Sequence, residues 1–251
     1  MATPVLWHIT FSNYNEKARW ALDYKRVRYR LRGTPLGLHP LYAWRLGGGR
    51  TFPLLQLDGE PIGDSTRIIA ELERRHPEPP LYPDDPAERA RALALEDFFD
   101  ERVGHEVRRV ALEHAGRDRD FAAAAAVPGA GPLRLAAFKL AAIPMGVAMR
   151  RYYGVDDGTV TRAWEGIEEA IARFRSELQH SGYLVGDRFS VADLTFAALV
   201  GTGVQPPGFP YPAREPEHRG LPQLRSLLAA RGVLEWIEDI YARHRGARVR
   251  G

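Results

Sequence analysis

The sequence predicts a small α/β domain followed by an all-helical domain, and three observations carry that reading. Up to Arg75, short apolar runs with strand character alternate with amphipathic helical stretches. The segment His76-Pro77-Glu78-Pro79-Pro80-Leu81-Tyr82-Pro83-Asp84-Asp85-Pro86 is then too rich in proline and acid to continue a helix or a sheet. Beyond it, almost every window has a helical period. The expected organisation is residues 1–77 as the α/β domain, 78–88 as a linker and 89–251 as the helical domain.

Each element has a local cause. Pro4 to Thr10 reads as a buried strand, and the Ser12-Asn13-Tyr14-Asn15-Glu16 run supplies helix-start chemistry, with Asn13 and Glu16 spaced like a capping box. In the helix that follows, Ala18, Ala21 and Leu22 form the inward face, and Lys17, Arg19 and Lys25 are expected to face outward. Val27 to Leu31 alternates as a second strand should, so a parallel β-α-β unit is expected. A short helix around Leu38–Leu46 leads to the loop Gly47-Gly48-Gly49-Arg50. Phe52 to Leu57, Asp58-Gly59 and Glu60-Pro61-Ile62 form a hairpin signature. The next helix can be capped by Asp64, Ser65 or Thr66 and turns Ile68, Ile69 and Leu72 inward.

In the helical half, helices are expected over Ala87–Ala115, Leu133–Tyr153, Val160–Gln179, Val191–Leu199 and Leu234–His244, with Pro206–Pro212 as an extended loop before the last. Phe189-Ser190-Val191-Ala192-Asp193-Leu194 combines a capping box, in which Asp replaces the usual Glu, with a hydrophobic staple. Leu133–Val147 is broken by Arg134, Lys139 and Pro144 and is shorter than the roughly 20 apolar residues that span a bilayer, so it reads as a kinked core helix.

Composition narrows the function classes. With 45% hydrophobic and 27% charged residues in 251, the chain is too apolar for intrinsic disorder. A net charge of +3, with both signs interspersed, gives no nucleic-acid footprint, and the basic run from Arg243 to Arg250 reads as a solvated terminus. The absence of cysteine excludes disulfides, thiolate metal sites and a cysteine nucleophile. Pro4 to Thr10 lacks the pattern of a signal peptide, so a cytoplasmic protein without a membrane partner is expected.

Three turns of the first domain carry candidate chemistry. At Ser12 a hydroxyl sits at the positive end of a helix, where it either caps the helix or donates to an anion. At Phe52-Pro53 a proline opens a strand; the peptide is either an ordinary trans edge bond or a cis bond that frees the Phe52 backbone for an extended ligand. At Asp64-Ser65 the helix start offers N–H groups to a carboxylate and the Asp side chain to an ammonium group, unless both residues simply cap. Together the turns describe a site for a small anionic molecule with an amino-acid head group.

The runs Phe11-Ser12-Asn13-Tyr14-Asn15-Glu16-Lys17-Ala18-Arg19, Thr51 to Gly59, Gly63-Asp64-Ser65-Thr66-Arg67-Ile68 and Ser190-Val191-Ala192-Asp193, in this order and spacing, resemble the glutathione transferase family across both domains. The resemblance implies a thioredoxin-like N-terminal domain that binds glutathione as co-substrate, without a metal. It also implies an all-α C-terminal domain that takes a hydrophobic electrophile, in a detoxifying, homodimeric enzyme. Ser12 would hydrogen-bond the glutathione sulfur, with Tyr14 as the alternative donor. Phe52 would pair with the cysteinyl backbone beside a cis-Pro53, Asp64 and Ser65 would hold the γ-glutamyl group, and Arg50 and His39 are candidates for the glycine carboxylate. The Gly47–Arg50 loop departs from the family's Asn-Pro, and residues 116–157 are longer than a compact member needs.

Rival motifs fail. The triple glycine lacks the Gly-Lys-Ser/Thr ending of a phosphate loop, and His105-Glu106 is followed by Arg109 where a zinc protease needs its second histidine. Two function classes remain: a glutathione-dependent enzyme acting by conjugation, ether cleavage, dehalogenation or isomerisation, and a non-catalytic module of the same fold used for interaction or ligand binding.

Overall fold

The computed structural model describes residues 3–10, 12–34, 39–47, 49, 51–113, 120, 123, 131–210 and 220–246. Strand β1 (Val5–His8), helix α1 (Asn13–Tyr24) and strand β2 (Arg30–Gly33) form the expected parallel unit, with Val5 opposite Arg30. The second strand starts later than its alternation predicts. The Val27 N–H closes the end of α1 on the Leu22 carbonyl, which takes that residue out of the ladder. After α2 (His39–Arg45), strands β3 (Leu54–Leu57) and β4 (Glu60–Gly63) form the hairpin. Its turn residues Asp58 and Gly59 have φ of 51° and 90°, the left-handed pair that a two-residue turn requires. The sheet order is β2-β1-β3-β4, with β3 antiparallel to both neighbours. Helix α3 (Ser65–Arg75) follows β4 directly.

The helical half begins with α4 (Pro86–Phe99), capped by Asp85, whose carboxylate accepts from the Ala87 and Glu88 N–H groups. The single helix expected to Ala115 is interrupted by a π-helical turn, Asp100–Gly104, before α5 (His105–Glu113). Then come α6 (Pro132–Tyr152), α7 (Asp157–Glu177), α8 (Val191–Val204), α9 (Gly220–Ala230), α10 (Val233–Ile240) and a second π-helical turn, Tyr241–Arg245. Helix α9 has no counterpart among the helices that the periodicity predicts. Helix α8 starts as expected: the Asp193 carboxylate accepts from the backbone N–H groups of Leu184 and Ser190 and from the Ser190 hydroxyl at 2.8–2.9 Å. This helix is apolar all round and buried along almost its whole length, packing against α1 and α4. The core is continuous from Leu6, Trp20 and Leu55 at the sheet to Phe99, Phe174, Phe196 and Trp236 among the helices. Phe174 stacks on Phe196 at 4.5 Å and meets Trp236 edge-on at 4.6 Å.

Three expectations are corrected here. Lys17, Arg19 and Lys25 are buried rather than outward, because α1 is covered by α8 and α3 and each cation meets a carboxylate: Glu96 on α4, Glu16 on α1 and Glu73 on α3. Leu133–Val147 is not a core helix: Leu133 and Leu140 are 87% and 82% exposed. Of the basic run near the end, Arg245 is buried at 3% exposure, while residues 247–251 lie outside the described residues. Most of the 116–130 stretch and the Tyr211–Pro212 end of the proline-rich loop also lie outside them. Among the described residues, no helix is long and apolar enough to cross a membrane, and no cluster of three or more His, Asp or Glu could hold a metal ion.

Candidate glutathione site

Strand register brings the three sequence turns to one end of the sheet. Trp7 lies opposite Leu54, and Leu54 lies opposite Gly63. The chain therefore leaves β1 towards Ser12, enters β3 from Phe52-Pro53 and leaves β4 into Asp64-Ser65, all on the same edge.

Ser12 is the N-cap residue of α1, with extended backbone (φ −86°, ψ 127°) and a half-buried side chain. Its carbonyl accepts the Glu16 N–H at 3.0 Å, but its hydroxyl makes no capping bond. The expected box between Asn13 and Glu16 does not form. Asn13 Oδ1 instead accepts the Tyr14 N–H at 3.0 Å, and Glu16 turns into the protein to pair with Arg19. The Ser12 hydroxyl is left uncommitted beside the positive end of a helix.

Tyr14 is differently placed. Its phenol donates to the Asp100 carbonyl at 2.8 Å and packs against His105 with ring centroids 5.8 Å apart. Burial first, and then the nearby Asp100 charge, push this phenol far above its ordinary range, so it holds its proton.

The Phe52–Pro53 peptide is cis, resolving the alternative left open by the sequence. The ladder with β1 and β4 begins at Leu54, so the Phe52 backbone precedes it. The buried His39 ring packs beside the Phe52 ring at 6.5 Å, and its Nδ1 has no hydrogen-bond partner among the described residues. Burial lowers the His39 pKa, so this imidazole is neutral near pH 7. Arg50 lies outside the described residues.

Asp64 is the N-cap of α3 and holds φ of 71°, a left-handed conformation uncommon for a non-glycine residue. Its exposed carboxylate accepts from the Arg67 N–H at 3.1 Å. The Ser65 hydroxyl, with the residue 1% exposed, has no protein partner. A buried orphan hydroxyl at a helix start is costly unless something else bonds it.

Residues outside the sequence-predicted site fix this end of the sheet to the helical half. Asn13 Nδ2 donates to the Gly104 carbonyl at 2.8 Å. Lys17 Nζ meets Asp100 Oδ1 at 2.7 Å, Glu96 Oε1 at 2.9 Å and Thr66 Oγ1 at 2.9 Å, tying α1, α3 and α4 together. Burial raises the pKa of both acids against the opposing pull of Lys17. The only sequence signal was Gly104 within a helical run: a Cβ there would stand 2.3 Å from the Tyr14 hydroxyl oxygen.

The family model for the glutathione S-transferase N-terminal domain matches residues 6–80, and that for the C-terminal domain matches residues 157–239. A probable maleylacetoacetate isomerase 1 of Drosophila melanogaster is 28% identical over 124 residues, covering 47% of this chain and 50% of that protein. The maleylacetoacetate isomerase of Dictyostelium discoideum is 34% identical over 96 residues, 36% of this chain and 44% of that one. The chain thus matches about half the length or less of these curated relatives. Glutathione transferase GSTFuA3 from Phanerochaete chrysosporium shares the fold with a TM-score of 0.66 at 18% identity, covering 98% of this chain and 99% of that one. Glutathione transferase F7 from Populus trichocarpa gives 0.65 at 15% identity over 97% and 95%. The two domain models, in order on a thioredoxin-like sheet followed by helices, show that this chain belongs to the glutathione S-transferase family, whose co-substrate is glutathione.

Proposed function

We propose that the chain is a glutathione-dependent enzyme in which Ser12 stabilises the glutathione thiolate for attack on an electrophilic, hydrophobic small molecule. The observation that carries the reading is that serine hydroxyls stand uncommitted at two helix starts on one sheet edge, Ser12 at α1 and Ser65 at α3. In this reading Ser65 and the α3 N–H groups hold the γ-glutamyl carboxylate, and Asp64 holds its ammonium. The Phe52 backbone pairs with the cysteinyl unit, and His39, with Arg50, meets the glycine end.

The chemistry follows from the charge that must be held. A free thiol with a pKa of about 8.5 is mostly protonated at neutral pH, and a hydroxyl donor at a helix N-terminus favours its anion. Tyr14 is the weaker candidate for this donor, because its single proton is already given to the Asp100 carbonyl. The names of the relatives make isomerisation of a conjugated alkene the first reaction to examine: thiolate adds, the bond rotates, and elimination returns the glutathione. The setting is a cytoplasmic homodimer, as the family implies.

Calorimetry with glutathione, followed by an activity screen over maleylacetoacetate, aryl halides, aryl ethers and epoxides, tests the reading. Glutathione should bind, and Ser65→Ala should weaken it about tenfold, the equivalent of one lost hydrogen bond to a charged group. A wild-type protein that binds no glutathione would make it the non-catalytic module instead.

A further inference from the structure

The buried guanidinium of Arg245 is unexplained by the site above, although its residue comes from the last described turn of the chain. It reaches α1, more than 220 positions away in sequence, donating from Nε to Glu16 Oε1 at 2.5 Å and from Nη1 to Asp23 Oδ2 at 2.9 Å, with its plane over Trp20. Glu16 and Asp23 are themselves buried. Glu16 does not end the chain of contacts. Its second oxygen accepts from Arg19 Nε at 3.1 Å and Nη2 at 2.9 Å. Arg19, 1% exposed, then grips the turn between β1 and α1, meeting His8 Nδ1 at 2.9 Å and the Thr10 carbonyl at 3.3 Å. The turn closes on itself through Ser12 N–H to the Ile9 carbonyl at 3.3 Å and Glu16 N–H to the Ser12 carbonyl at 3.0 Å.

The set therefore holds two carboxylates and two guanidiniums out of water, and its far end is the backbone two residues before Ser12. A buried ion set is stiff only while its charges balance, since an unpaired member is strongly unfavourable. Without the Arg245 cation, Arg19 is the one remaining cation on the Glu16 carboxylate among the described residues. Its fixed fork cannot face both Glu16 and the Thr10 carbonyl in the same way. The head-group end of the site is held separately, by Lys17 through Thr66 on α3.

We propose that Arg245 is a positioning residue for thiol activation: through Glu16 and Arg19 it holds the turn that presents the Ser12 hydroxyl, coupling the C-terminal turn of the helical half to the reacting end of the glutathione site. This rests on the assignment of Ser12 to the glutathione sulfur. Arg245 touches no ligand in this scheme, so its loss should alter the chemistry of the bound thiol and leave recognition of the γ-glutamyl group nearly intact.

The test compares Arg245→Met, Arg245→Lys and Asp23→Asn with the wild type. For each, the thiolate absorbance of bound glutathione is titrated, KM for glutathione and kcat are measured on the most reactive electrophile of the screen, and Tm is recorded. Asp23→Asn removes the arm of Arg245 that leads away from the Ser12 turn and so controls for lost stability. Arg245→Met should raise the bound thiol pKa by about one unit and lower kcat about tenfold near neutral pH, with KM within about twofold. Arg245→Lys, which restores the cation without the fork, should fall between the wild type and Arg245→Met. Asp23→Asn should lower Tm and shift the thiol pKa much less than Arg245→Met does, because the Arg245–Glu16 arm stays in place; an equal shift would contradict the route through Glu16. If Arg245→Met and Arg245→Lys lower Tm while the bound thiol titrates as in the wild type, the clamp is structural only and the proposal fails. If Arg245→Met does not fold, Arg245→Lys decides: a bound thiol pKa above the wild type supports the clamp, and one that is unchanged defeats it. A wild type that binds no glutathione defeats the functional assignment itself, a separate outcome.

Discussion

The side-chain amide of Asn13 donates to the backbone carbonyl of Gly104 at 2.8 Å, both residues being buried. This bond joins the first residue of α1, next to Ser12, to the π-helical turn of the helical half. Gly104 is needed there because a methyl group would enter the Tyr14 ring. Gly104→Ala should destabilise the protein by about 1–3 kcal/mol, the usual cost of overpacking, as read by urea denaturation. It should also weaken turnover, since α1 must move to make room. An unchanged midpoint would show that the contact is soft.

Tyr14→Phe separates a structural phenol from a catalytic one. It deletes the bond to the Asp100 carbonyl and should cost about 1 kcal/mol in chemical denaturation, while the thiol of bound glutathione titrates as before. A thiol pKa that rises as far as in a Ser12 variant would transfer the sulfur contact to Tyr14.

Ser65→Ala should cost the free protein almost no stability. The hydroxyl it removes is buried without a protein partner, so no bond is lost and one unsatisfied group is relieved. Thermal melting without ligand should therefore coincide with the wild type, and the difference should emerge only when glutathione is added. A clear drop in the ligand-free Tm would contradict the placement of this hydroxyl.

His244 sets a pH dependence. Its ring stacks on Phe189 at 4.3 Å and meets the Tyr183 hydroxyl at 3.0 Å, and burial, reinforced by Arg243, lowers its pKa to about 4. In the unfolded chain it titrates near 6.5, so between roughly pH 6.5 and 4 the unfolded state binds more protons and acid removes stability. Above that window the contribution is constant. The stability difference between wild type and His244→Phe should shrink by about 1–2 kcal/mol from pH 7 to 4, a value discounted because the ring is only partly buried. Urea titrations at several pH values that give parallel curves would refute it.

The sheet and the ends of most helices were legible because their causes are local. Asp58-Gly59 needs two left-handed residues, and the Ser190-Asp193 box and the Asp85 cap satisfy helix N–H groups within three positions. The buried charges of α1 were not legible. A helical wheel assigns Lys17 and Arg19 to water, and only tertiary structure brings Glu96 and Asp100 to Lys17, and His8 and the Thr10 carbonyl to Arg19. The same limit applied at the site. The sequence could place a hydroxyl at the start of α1, but whether that hydroxyl caps the helix depends on Asn13 accepting the Tyr14 N–H in its place.

That uncommitted hydroxyl is the centre of the account, and titrating the ultraviolet absorbance of the bound glutathione thiolate in wild type and Ser12→Ala addresses it directly. The wild type should show a bound thiol pKa at least about one unit below that of free glutathione, and Ser12→Ala should return most of it, with kcat/KM falling about tenfold or more near neutral pH. The variant's unfolding free energy should change by less than the roughly 1 kcal/mol of an ordinary N-cap loss, because no capping bond is broken. A bound thiol that titrates identically in the two proteins would contradict the assignment of Ser12.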